Sequence, residues 1–121
     1  SSSRAMLNFG HTFGHALEAM SKYNHKLNHG EVISIGMAIA TKISSKMHSI
    51  SFKEYEDLID HLKQVGLPYY DKRVNEKKFF DLMLADKKNS DNKINLILLK
   101  EIGKAYFERG LDNFKIKKFL K

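Results

Sequence analysis

Three histidines sit where metal-ligating or proton-handling groups would be useful. His11 and His15 lie four residues apart in the run Asn8-Phe9-Gly10-His11-Thr12-Phe13-Gly14-His15-Ala16-Leu17-Glu18. On a helix that interval projects both imidazoles from one face, a spacing common in zinc sites. His29 follows in Leu27-Asn28-His29-Gly30-Glu31, at the mouth of the next helical stretch. Two antiparallel helices joined by a short loop would bring it back toward His11. Neutral imidazoles are ordinary zinc ligands, and a catalytic site adds a third protein ligand and leaves one position open. The chain has no cysteine, so disulfides and thiolate sites are excluded. A transition-metal site must therefore use His with Asp or Glu, which suits zinc, cobalt or iron. Six histidines also make such a pair by accident, so spacing alone leaves a metal site and a chance pair both open. His25, His48 and His61 read as surface or edge histidines.

The elements that must position these groups are mostly helical. Residues 5–22 read as a helix carrying Leu7, His11, His15, Glu18 and Lys22 on one stripe. Gly10 and Gly14 weaken it by roughly 1 kcal/mol each relative to alanine, which suggests that something approaches closely there. Glu31 is expected to open a helix to about Met47, apolar nearly all round and therefore buried. Ser51 and Glu54 form a capping box for the next helix, which stops at Gly66-Leu67-Pro68. Asn75 is expected to cap a helix through Phe79, Phe80, Leu82 and Met83. Ile94 to Leu99 reads as a strand, Gly103 as a turn and Ala105-Tyr106-Phe107 as a returning strand. Asp112 is expected to cap a last helix carrying Phe114, Ile116, Phe119 and Leu120. The fold class is therefore mostly α: a bundle-like helical domain, residues 1–121, with a short β-hairpin near residues 94–108.

The chain has 121 residues, the size of one domain. Hydrophobic residues make up 42% and charged residues 29%, enough for a core and a solvated surface. The formal net charge of +7 suits an anionic partner. Much of the excess lies at Lys115, Lys117, Lys118 and Lys121, the solvated face of a terminal helix. No basic-aromatic motif accompanies it, so a phosphorylated small molecule is expected rather than nucleic acid. No apolar run has the length of a membrane span, and Ser1-Ser2-Ser3-Arg4 lacks the apolar core of a signal peptide. A cytoplasmic protein is the expectation.

The run from Arg4 to Glu18 resembles the signature of 3-dehydroquinate synthases. So do Asn28-His29-Gly30-Glu31-Val32 with Ile35-Gly36-Met37, and Asp86-Lys87-Lys88 followed by an apolar strand and Ile102-Gly103-Lys104-Ala105. The resemblance implies the helical C-terminal domain of such an enzyme. An N-terminal NAD-binding domain would be missing from this chain, along with a glutamate that serves as third metal ligand. His11 and His29 match the metal-ligating histidines, with zinc or cobalt as the metal. His15 matches a histidine that contacts substrate and handles protons. Arg4, Asn8 and Lys87 or Lys88 match substrate-binding residues, Glu31 matches a weaker orienting position, and no residue here is expected to bind NAD. For Glu18 and Glu31, helix-dipole, orienting and catalytic roles all remain open.

The reaction the resemblance implies converts 3-deoxy-D-arabino-heptulosonate 7-phosphate to 3-dehydroquinate and phosphate, a carbon–oxygen lyase step of the shikimate pathway. A full-length homodimer is implied, and a fragment without the cofactor domain is expected to be inactive alone. The alternatives are another sugar-phosphate cyclase, or a metal-dependent alcohol or glycerol dehydrogenase with paired histidines on helices.

Overall fold

The computed structural model describes residues 11–21, 27–47, 50–84, 93–101 and 104–120. The start of the first predicted helix, its Gly10, and the Gly103 turn lie outside them.

The first described helix, α1 (His11–Ser21), buries Phe13, Ala16, Leu17 and Met20. Those positions recur at the three- and four-residue intervals of one helical face. The second, α2 (His29–Lys46), is the central element. It packs against α1 and against the helix α3 (Phe52–Gln64). Val32, Ile35, Ala38, Ile39, Ala40 and Ile43 are all buried, as the all-round apolar pattern predicts.

Buried hydroxyls in α2 have to be satisfied internally. Thr41 Oγ1 donates to the Met37 carbonyl at 2.7 Å, Ser44 Oγ to Ala40 at 2.8 Å and Ser45 Oγ to Lys42 at 2.8 Å. Ser34 Oγ reaches instead to the Pro68 carbonyl at 2.5 Å, tying the loop after α3 to the central helix.

Helix α2 begins two residues earlier than expected. Asn28 is its N-cap, and Glu31 completes a capping box from the third helical position. A residue that reaches back to the cap cannot itself open the helix.

Ser51 and Glu54 form the predicted capping box of α3. Its end is a Schellman motif: Leu67 N–H donates to Leu62 O at 2.9 Å and Gly66 N–H to Lys63 O at 3.2 Å. Gly66 has φ of 76°, a conformation glycine adopts without a Cβ penalty. Ile59 and Leu62 of α3 pack with Ala38, flanked by Tyr55 and Leu58.

A short 3₁₀ turn (Lys72–Asn75) leads to α4 (Lys77–Leu84). Asn75 does not cap α4. It ends the 3₁₀ turn, and its side-chain amide donates to the Tyr70 hydroxyl at 3.1 Å. Phe79, Phe80 and Met83 of α4 are buried. Phe79 stacks on Phe13 of α1 at 6.3 Å between ring centroids, which docks α4 on α1.

The hairpin joins β1 (Lys93–Glu101) to β2 (Lys104–Asp112), antiparallel, with Ile97 opposite Phe107 and Leu98 opposite Tyr106. It is longer than expected, and β2 runs to Asp112, directly before α5 (Asn113–Leu120). Ile116 and Leu120 of α5 join the main core, which the other helices line with Leu17, Val32, Ile35, Ile43, Phe79 and Met83. Mostly helical architecture with one hairpin is thus observed. It places the beginning of α2 against the second half of α1.

Candidate functional site

The histidine-bearing segments meet because α1 lies close on α2. A Cβ built at Gly14 would stand 3.3 Å from Val32 Cγ1 and 3.6 Å from the Val32 carbonyl oxygen. Val32 is fully buried, so even a methyl at position 14 would need Val32 to give way slightly. That is the close approach the glycine predicts.

Further along, Glu18 of α1 faces His29 of α2. Gly14 against Val32 and Glu18 against His29 describe an antiparallel pair, as the loop length suggests. In that register His29 is level with Glu18. At about 1.5 Å rise per residue, His15 lies roughly 4.5 Å and His11 roughly 10 Å back along the α1 axis.

His29 is held by its neighbours in sequence. Asn28 Oδ1 accepts from the Glu31 N–H at 2.8 Å, and Glu31 Oε1 accepts from the Asn28 N–H at 3.0 Å. The Val32 N–H closes the first helical bond to the Asn28 carbonyl at 3.0 Å. The box sets His29 as the first residue of α2, its side chain 79% exposed. Glu31 Oε1 thereby ties down the turn that carries His29.

Among the described residues, the polar side chain that meets the His29 ring is Glu18. Its Oε2 lies 3.5 Å from His29 Nδ1. Glu18 is anchored on the last turn of α1, where Ser21 Oγ donates to its backbone carbonyl at 3.1 Å. His15 is exposed on α1, one turn before Glu18.

The remaining sequence-predicted residues fall elsewhere. The backbone of His11 is the first residue of α1, but its side chain lies outside the described residues, as do Arg4, Asn8, Lys87 and Lys88. Among the described residues, no group of three or more His, Cys, Asp and Glu side chains gathers as a metal site. His61 is exposed on α3, an edge histidine as expected; His25 and His48 lie outside the described residues.

Sequence reasoning left Glu18 among several possible roles and did not pair it with His29. The signal available was positional: a carboxylate near the end of one helix and an imidazole at the start of the next. A second feature went unread. A cavity of about 180 Å³ is lined by Ala38, Ile39, Lys42, Tyr55, Tyr69, Tyr70, Val74 and Leu120. Burial, and then the Lys46 ammonium, hold the Lys42 amine below its usual range. Burial, and then Tyr69, push the Tyr55 hydroxyl up.

The sequence profile of the family described as 3-dehydroquinate synthase C-terminal matches residues 1–89. A 3-dehydroquinate synthase of Pelagibacter ubique is 39% identical, across 98% of this chain and 33% of its own length. That of Coxiella burnetii is 35% identical, across 99% of this chain and 33% of its own length. The Endomicrobium trichonymphae counterpart is 41% identical, across 91% of this chain and 30% of its own length. The chain thus spans about a third of the relatives it matches. Among solved structures, a 2-epi-5-epi-valiolone synthase from Streptomyces hygroscopicus with NAD+ and Zn2+ bound superposes with a TM-score of 0.78 at 23% identity, over 93% of this chain and 31% of its own. A 2-deoxy-scyllo-inosose synthase complexed with carbaglucose-6-phosphate, NAD+ and Co2+ gives 0.75 at 24% identity, over 93% and 32%. At those identities the likeness is one of fold.

Proposed function

The chain belongs to the 3-dehydroquinate synthase C-terminal family, and from that premise we propose that it is the metal- and substrate-binding part of an enzyme making 3-dehydroquinate and phosphate from 3-deoxy-D-arabino-heptulosonate 7-phosphate. The observation that carries the reading is the seating of His29 at the capped start of α2, against the histidine-bearing helix α1. Identity to relatives of that name along nearly the whole chain supports the substrate. The enzyme would be a cytoplasmic carbon–oxygen lyase of the shikimate pathway, homodimeric in its longer form. Among the described residues no helix is long and apolar enough to cross a membrane.

The described member of the donor set, His29, suits a divalent metal. His29 is exposed and has its Nδ1 beside a carboxylate, the arrangement found at many ligating histidines. Zinc or cobalt held by His11 and His29, with a glutamate from elsewhere in the longer protein, would polarise substrate oxygens as a Lewis acid. NAD+, held mainly by a separate domain, would supply reversible hydride transfer. His15, exposed on α1, would accept and return a proton at its imidazole. Arg4 and Asn8, with Lys87 or Lys88, would bind the substrate; the cationic groups among them suit its carboxylate and phosphate.

Zinc calorimetry on the wild type, His11→Ala, His15→Ala and His29→Ala tests the ligand assignment. We expect at least about tenfold weaker binding without His11 or His29, equivalent to about 1.4 kcal/mol. His15→Ala should bind within about threefold of the wild type, less than about 1 kcal/mol. Unchanged binding in His29→Ala would remove the metal site. In the longer protein, phosphate release from the heptulosonate phosphate without net NADH would separate this reaction from that of a dehydrogenase. Turnover of a different sugar phosphate in its place would favour another cyclase of the same fold.

A further inference from the structure

We propose that Glu18 is the positioning residue for His29. Its carboxylate accepts the Nδ1 proton, fixes that tautomer, and aims Nε2 at the metal. The inference rests on the proposed ligand role of His29 and goes beyond it by naming the group that makes the ring competent.

Four observations converge. Glu18 Oε2 is 3.5 Å from His29 Nδ1, on a different helix and eleven residues away in sequence. The two side chains remain 45% and 79% exposed. An ion pair so exposed contributes little to stability, so holding the fold together does not account for it. The neighbouring carboxylate on the same helix, Glu31, accepts the Asn28 N–H at the cap, whereas the carboxylate that meets the ring is that of Glu18. The backbone of Glu18 is bonded by Ser21 Oγ, and Gly14 one turn earlier lets α1 lie close on α2.

A free imidazole can carry its proton on either nitrogen, and only the unprotonated nitrogen can bind a cation. A carboxylate at Nδ1 selects the tautomer that leaves Nε2 open. It also fixes the ring plane, so less rotamer freedom is lost on binding.

The test compares the wild-type chain with Glu18→Gln and Glu18→Ala. Thermal melts establish that each variant is folded, and Glu18→Gln carries the comparison if the alanine variant fails. Long-range 1H–15N spectra of the metal-free proteins, above the titration range of histidine, read the tautomer of His29. We expect predominantly Nδ1–H in the wild type, retention in Glu18→Gln through its amide oxygen, and a shift to Nε2–H in Glu18→Ala. Zinc titration against a chromophoric chelator should give affinity 10–100-fold lower for Glu18→Ala, with Glu18→Gln between it and the wild type. A wild-type ring already Nε2-protonated, or tautomer and affinity both unchanged in Glu18→Ala, overturns the inference while leaving His29 a ligand. If His29→Ala binds zinc like the wild type, the ligand reading fails and the positioning role falls with it.

Discussion

Glu18 and Glu31 flank the same histidine with the same carboxylate, and their surroundings separate them. Glu31 stands three residues into α2 and closes the capping box with Asn28. Glu18 comes from the other helix and faces the ring. Environment assigns roles in the same way at the cavity beside α3. The Tyr55 hydroxyl is pushed up by burial and by Tyr69. With its folded pKa above the unfolded one, Tyr55 stabilises the fold fully below pH about 10 and loses that contribution as pH rises through the raised value. Lys42 has the opposite sign: its lowered amine makes stability rise with pH toward its ordinary value. Tyr55→Phe isolates the first effect. Urea midpoints measured from pH 8 to 11 should fall less steeply for the variant than for the wild type, and parallel curves would refute the assignment.

Helices in this chain are bounded by devices a few residues long. Capping boxes open α2 and α3, and a Schellman motif closes α3. How the helices lie on one another is set by size rather than by hydrogen bonding, and Gly14 is the contact that brings α1 onto α2. Leucine at this position gains about 1 kcal/mol of helix propensity, but overpacking against a buried neighbour costs about 1–3 kcal/mol. Gly14→Leu is therefore expected to lose up to about 2 kcal/mol in denaturant unfolding. It should also weaken zinc binding, because His29 would no longer meet α1 in the same register. Full retention of both would show that the close approach is dispensable.

At the scale of the molecule, the chain is about a third of the relatives it matches. Of its residues proposed to touch substrate, His15 lies on α1. The hydride chemistry is assigned elsewhere. The expected outcome is that this chain, supplied with zinc, NAD+ and the heptulosonate phosphate, releases no phosphate above a blank in a coupled assay. Turnover by the chain alone would sink the division of labour proposed for it.

The devices legible in sequence were those that close within a few residues. Ser51 with Glu54, the stop at Gly66, the buried character of α2 and the hairpin all follow from hydrogen bonds or periodicities that a short window contains. Even there, Asn75 bonds Tyr70 rather than capping α4, because a 3₁₀ turn intervenes and a tyrosine hydroxyl competes for its side chain. The motif residues identified the family for the same reason: residue types and spacings are written along the chain. The meeting of Glu18 with His29, the tightness at Gly14 against Val32, and the tyrosine-lined cavity over Lys42 were decided only by the tertiary structure. Each depends on the register at which two helices or a helix and a loop come to rest. That register is chosen by packing of the whole core, a sum over many contacts that no local stretch of residues contains.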